Sequence, residues 1–88
     1  MIHYIGIDIS KRDFHVCFTE DGDVLIFTND TTGIKKFIKH LKSVKCTSKN
    51  TLIGLESTGS YHLPVAYICT QAGYTVNVIN PLITKRQN

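Results

Sequence analysis

Apolar and polar residues alternate along the first third of the chain and then recur at helical spacing, and these two periods mark out the elements. Ile5, Ile7 and Ile9 fall on one side of an extended segment over residues 3–9, with Tyr4, Gly6 and Asp8 on the other. Its apolar character predicts a central strand covered on both faces. Residues 10–12 read as a turn. Phe14, Val16 and Phe18 alternate with His15, Cys17 and Thr19 in a half-buried second strand over 13–19. Glu20-Asp21-Gly22-Asp23 is a hairpin turn in which Gly22 can take positive φ. Residues 24–28 form a third strand and complete an antiparallel meander.

The period then changes. Ile34, Phe37, Ile38 and Leu41 lie at i, i+3, i+4 and i+7, the stripe of an amphipathic helix. Asn29, Asp30 and Thr31 are its candidate caps. After a polar loop over 46–50, residues 51–56 form a fourth strand. A second helix carries Tyr61, Val65, Ile68 and Ala72 on one stripe. Pro64 is tolerated in its first turn, and Gly73 is suited to end it. Residues 74–79 form a fifth strand, stopped by Asn80-Pro81. Strands joined through a helix run parallel with a right-handed crossover. The order β-β-β-α-β-α-β therefore predicts an α/β fold with a mixed five-stranded sheet of order 3-2-1-4-5 and flanking helices. That is the ribonuclease-H-like arrangement.

In this topology the first and fourth strands are parallel neighbours, and each delivers a carboxylate to its C-terminal end: Asp8 and Glu56. Open α/β sheets bind ligands at that edge. Converging carboxylates suit a hard divalent cation, Mg²⁺ or Mn²⁺. Two-metal phosphoryl-transfer centres usually draw on more than two acids, so this pair is part of a site. The plainer reading stays open: Asp8 caps the turn over 10–12, and Glu56 merely ends its strand exposed.

Charge adds a second feature. The net charge is +3, and from Thr31 to Leu55 there are six lysines and no acid. Lys35, Lys36, Lys39 and Lys42 share the polar side of the first helix, where they either track a phosphate backbone or are simply solvated. Thr58 and Ser60, ahead of the second helix, either present its free N–H groups to a phosphate or serve as ordinary caps. His3, His15, His40 and His62 lack metal-ligand spacing; His15 reads as a sheet-surface residue, and His62 has a route to the acid site. Tyr61 and Tyr67 read as packing residues. Cys17, Cys46 and Cys69 read as core or edge fillers, reduced in a cytoplasmic protein. No apolar run approaches membrane-spanning length.

Three stretches carry a family resemblance: Tyr4-Ile5-Gly6-Ile7-Asp8-Ile9-Ser10-Lys11, Gly54-Leu55-Glu56-Ser57-Thr58-Gly59-Ser60-Tyr61 and Ala72-Gly73-Tyr74-Thr75-Val76-Asn77-Val78-Ile79-Asn80-Pro81. In order and in spacing they resemble the N-terminal domain of the DEDD-type insertion-sequence transposases of the one-ten family, the bridge-RNA-guided recombinases. The resemblance implies a RuvC-like fold that binds Mg²⁺ through an Asp-Glu-Asp-Asp set. Asp8 matches the first acid and Glu56 the second. The last two acids lie downstream in the family, and no acid follows Glu56 here.

Residues 1–88 are therefore expected to be the front part of a RuvC-like catalytic domain. They would lack those acids, the family's coiled coil and its serine-bearing C-terminal domain. None of Ser10, Ser57 or Ser60 matches that nucleophilic serine. The resemblance implies Mg²⁺-dependent DNA cleavage and strand exchange in the full-length protein, with DNA, a guide RNA and further copies of the chain as partners in a bacterial or archaeal cytoplasm. The 88-residue chain itself is expected to be inactive. A missing covering helix is expected to leave apolar surface around Ile5, Ile7 or Val78 bare. Two alternatives are an actin-like ATPase or phosphotransferase fragment and a non-catalytic nucleic-acid-binding module. The first would need a glycine-rich hairpin after strand one, which Ser10-Lys11-Arg12-Asp13 does not supply.

Overall fold

A computed structural model describes residues 2–19, 22–57 and 59–79. The elements are β1 (His3–Ile9), β2 (Asp13–Phe18), β3 (Val24–Thr28), α1 (Thr31–Ser43), β4 (Thr51–Ser57), α2 (Leu63–Gln71) and β5 (Thr75–Ile79). They form one five-stranded sheet of order β3-β2-β1-β4-β5. β2 is antiparallel to β1 and to β3, whereas β4 is parallel to β1 and to β5. This is the α/β, ribonuclease-H-like arrangement that the element order predicts.

Alternation decides which side of the sheet is covered. Ile5, Ile7, Ile9, Phe14, Val16, Ile53 and Leu55 turn to one face and are buried. There they meet Ile34, Phe37, Ile38 and Leu41 of α1 and Val65 and Cys69 of α2 in a single core. Phe14 stacks on Phe27 and meets Phe37 edge-on, each pair with ring centroids 5.6 Å apart. Both helices thus lie on the same side. The opposite face carries Tyr4, Asp8, His15, Cys17, Ile26 and Glu56, all exposed.

Three expectations are corrected here. β1 is covered on one face among the described residues, because α1 and α2 both serve the isoleucine side. Ile5 and Ile7 are accordingly buried, while Val78 is 51% exposed near the sheet edge. Tyr61 and Tyr67 are not packing residues. They are 41% and 66% exposed: Tyr61 lies ahead of α2, and Tyr67 lies off the side of α2 that Val65 and Cys69 bury, with Ala66 and Ile68 packed beside them.

The ends of the elements follow local chemistry. Gly22 has φ 74° in the β2–β3 hairpin. Asp30 is the N-cap of α1, its carboxylate accepting from the Gly33 N–H at 2.7 Å. The N-cap position of α2 is His62, which makes no side-chain cap bond, and Pro64 occupies the first turn. Gly73, at φ 96°, ends that helix. The Tyr74 hydroxyl then donates to the Cys46 carbonyl at 2.7 Å, tying the start of β5 to the loop after α1. No helix among the described residues is long and apolar enough to cross a membrane.

Candidate functional site

Asp8 and Glu56 are register partners on the parallel pair β1–β4. Neighbouring strands run about 4.8 Å apart, so the two residues stand side by side on the open face, and both are exposed. Two positions upstream on the same face, Gly6 is paired with Gly54. The acids thus stand at the end of a strip of sheet without side chains. A shallow depression of about 420 Å³ includes both acids and both glycines, with His15, Cys17, Val24 and Ile79 around them.

Asp8 is not spent on the turn that follows it. Ser10 and Asp13 close that turn: the Ser10 N–H donates to the Asp13 carbonyl at 2.9 Å, and the Ser10 hydroxyl lies 2.9 Å from the Asp13 carboxylate. Asn29 reaches across from the end of β3. Its side-chain amide donates to the Ser10 and Tyr61 carbonyls, each at 3.0 Å. One residue thereby ties the chain just past Asp8 to the segment that follows β4.

The donor chemistry fits a hard cation in kind, since carboxylate oxygens are its preferred ligands. It fits only in part by number. Among the described residues no three His, Cys, Asp or Glu side chains converge to hold a metal ion. Two carboxylates can supply part of a coordination shell and leave the rest to water or to other oxygens.

The predicted site residues do not all gather here. Lys35, Lys36, Lys39 and Lys42 are exposed on α1, whose apolar side is buried against the covered face. They lie across the sheet from the acids. Ser60 is exposed in the β4–α2 connection, where its carbonyl accepts from the Leu63 N–H at 3.1 Å. Thr58 lies outside the described residues. His62 is half-buried at the start of α2 and does not line the depression. His15 does. It is the antiparallel register partner of Asp8, and its Nε2 is 3.8 Å from an Asp13 carboxylate oxygen. The hairpin register was the signal that would have singled out His15, since counting back through the β1–β2 turn brings it opposite Asp8. Cys17 joins the same depression as an exposed thiol, not as the core or edge filler expected; Cys46 and Cys69 are buried as expected.

The chain is similar to the pilin gene-inverting protein of Moraxella bovis, with 28% identity over 81 residues, covering 90% of this chain and 25% of that protein. The pilin gene-inverting protein of Moraxella lacunata matches to the same extent, 28% over 81 residues. The chain therefore spans a quarter of the length of these curated relatives. The DEDD transposase family of the one-ten insertion sequences, described as "Transposase", matches residues 5–88. With that match running over nearly the whole sequence, the chain belongs to this transposase family.

Proposed function

We propose that this chain is the front part of the catalytic domain of a DNA transposase or recombinase, and that Asp8 and Glu56 hold a Mg²⁺ ion in it. The observation that carries the reading is the register pairing of the two acids at one carboxyl edge, on a face left open among the described residues, in a chain of this family. Bound there, the cation would supply Lewis-acid stabilisation of charge developing on a phosphate. The chain's own residues hold and orient: β1 and β4 fix the spacing of the carboxylates, and Asn29 fixes the loops behind them.

Both Moraxella relatives are named for inverting a gene, which is a rearrangement of DNA. That favours DNA as the substrate here; a guide RNA and further copies of the chain are proposed to complete the active assembly on the family resemblance alone. Two acids are fewer than such chemistry needs, so the 88-residue chain alone is expected to be inactive. The actin-like alternative is disfavoured by the turn after β1, which Ser10 and Asp13 close on itself with no glycine to wrap a phosphate.

The test is a Mn²⁺ titration of the purified chain followed by electron paramagnetic resonance, with a Mn²⁺-soaked crystal to locate the ion. Density between Asp8 and Glu56, lost in both Asp8→Ala and Glu56→Ala, is the expected result. Mn²⁺ found only elsewhere, or retained unchanged by both variants, overturns the assignment. In the longer parent protein, either substitution is expected to abolish strand cleavage on the element's own ends.

A further inference from the structure

The lysines of α1 cannot act on phosphates that would lie over the acids. Between the two groups stand the sheet and the helix itself, which is about 10–12 Å across with its side chains. A straight nucleic-acid segment seated on Asp8 and Glu56 does not reach Lys36 or Lys39 on the far side of the molecule.

The lysine surface is also densely charged. No acid occurs between Thr31 and Leu55, and Lys45 and Lys49 extend the charge, exposed, past the end of α1. Asp30, the acid just before the helix, accepts from the Gly33 N–H and the Thr28 hydroxyl and also attracts Lys36, which leaves Lys35, Lys39 and Lys42 to dominate the surface. α2 touches α1 on the same side of the sheet and leaves Tyr67 66% exposed. The apolar side of α1 is used up by the core, so the helix has none to insert into a lipid surface. Clustered lysines with an exposed aromatic ring in the same layer suit a phosphate backbone whose bases can stack.

We propose that the outer face of the helical layer binds a second nucleic-acid segment through its phosphates, with Lys35, Lys36, Lys39 and Lys42 as the main contacts. The domain is then held between two segments, one on each side. That this is a second segment rests on the acid face holding the first, as proposed above; the lysine contact itself does not.

Fluorescence anisotropy of the purified chain on a labelled oligonucleotide of arbitrary sequence, between about 50 and 200 mM salt, reads this surface. The combined Lys→Gln variant at 35, 36, 39 and 42 is expected to bind about tenfold or more weakly, and its plot of log affinity against log salt should flatten by ~3. The matching Lys→Arg variant should bind as the wild type does. Tyr67→Ala should weaken binding to a single strand more than to a duplex.

Unchanged affinity in the Lys→Gln variant, or a wild-type chain that prefers polyglutamate or anionic vesicles to the oligonucleotide, overturns the proposal. Mn²⁺ uptake separates the two faces. Loss of the oligonucleotide with Mn²⁺ binding kept supports the two-sided arrangement. Parallel loss of both, at an unchanged melting temperature, means a single site and overturns it. A wild-type chain that takes up no Mn²⁺ but still depends on the lysines overturns the acid-face reading alone, and the lysine surface stands.

Discussion

Cys17 lies open on the acid face, while Cys46 and Cys69 are buried in the core, and the three thiols should differ accordingly. Burial pushes the Cys69 thiol up to about 12 from an ordinary value of 9.0, so at neutral pH it stays protonated and unreactive. In the folded chain a thiol reagent is expected to label Cys17 quickly and the other two only on unfolding, which mass spectrometry after timed quenching would count. The pH consequence has a definite sign. Because the folded state holds the Cys69 proton more tightly than the unfolded state, its contribution is complete below pH 9.0 and is lost as pH rises toward about 12. Asp30 is the converse. The Gly33 N–H and then the Thr28 hydroxyl hold its carboxyl below the ordinary value of 3.8, so its contribution is present above that pH and fades as the folded carboxyl takes up its proton. Thermal melts across pH should therefore fall at both ends, and Asp30→Asn should remove part of the acid limb only.

At the scale of elements, α1 was legible almost completely, because its stripe, its cap and its lysines are all local signals. Ile34, Phe37, Ile38 and Leu41 are its buried residues, along with one the period does not announce, Gly33. A Cβ on Gly33 would run into the Thr28 carbonyl and hydroxyl, so the helix can begin so close to the end of β3 only with glycine there. Gly33→Ala is expected to destabilise by about 1–3 kcal/mol, the usual cost of overpacking, measurable as a lower denaturant midpoint with an unchanged slope. α2 was less legible. Of its four-residue stripe of Tyr61, Val65, Ile68 and Ala72 only Val65 is fully buried, and Cys69, outside the stripe, joins it, since a short helix at the sheet margin has only a narrow side to bury. The tie made by Asn29 could not be read from the chain at all, because it joins carbonyls at positions 10 and 61 that no local pattern relates.

For the whole molecule, strand order and the meeting of Asp8 with Glu56 were legible because connection rules leave few alternatives once the element order is known. Which face the helices cover was not. β1 is apolar enough to sit beneath layers on both sides, and only the packing of α1 and α2 together shows that the acid face stays open among the described residues. The Gly6–Gly54 pair on that face has a thermodynamic consequence. A Cβ at Gly6 would meet nothing within 4 Å, and one at Gly54 would make an ordinary 3.8 Å contact with Ile79. Neither glycine has the positive φ that would make a side chain strain the backbone. Glycine inside a strand costs roughly 0.5–1 kcal/mol relative to alanine, so the chain forgoes stability at two adjacent points where nothing in the fold demands it. The Gly6→Ala/Gly54→Ala variant is expected to melt at a higher temperature than the natural sequence. If the proposed function holds, a full-length transposase carrying both alanines is expected to cleave DNA more slowly, because two methyl groups would raise the floor beside the carboxylates. A variant that is more stable and equally active would mean that the strip is vacant space, and that these two residues could be replaced freely to make a sturdier protein.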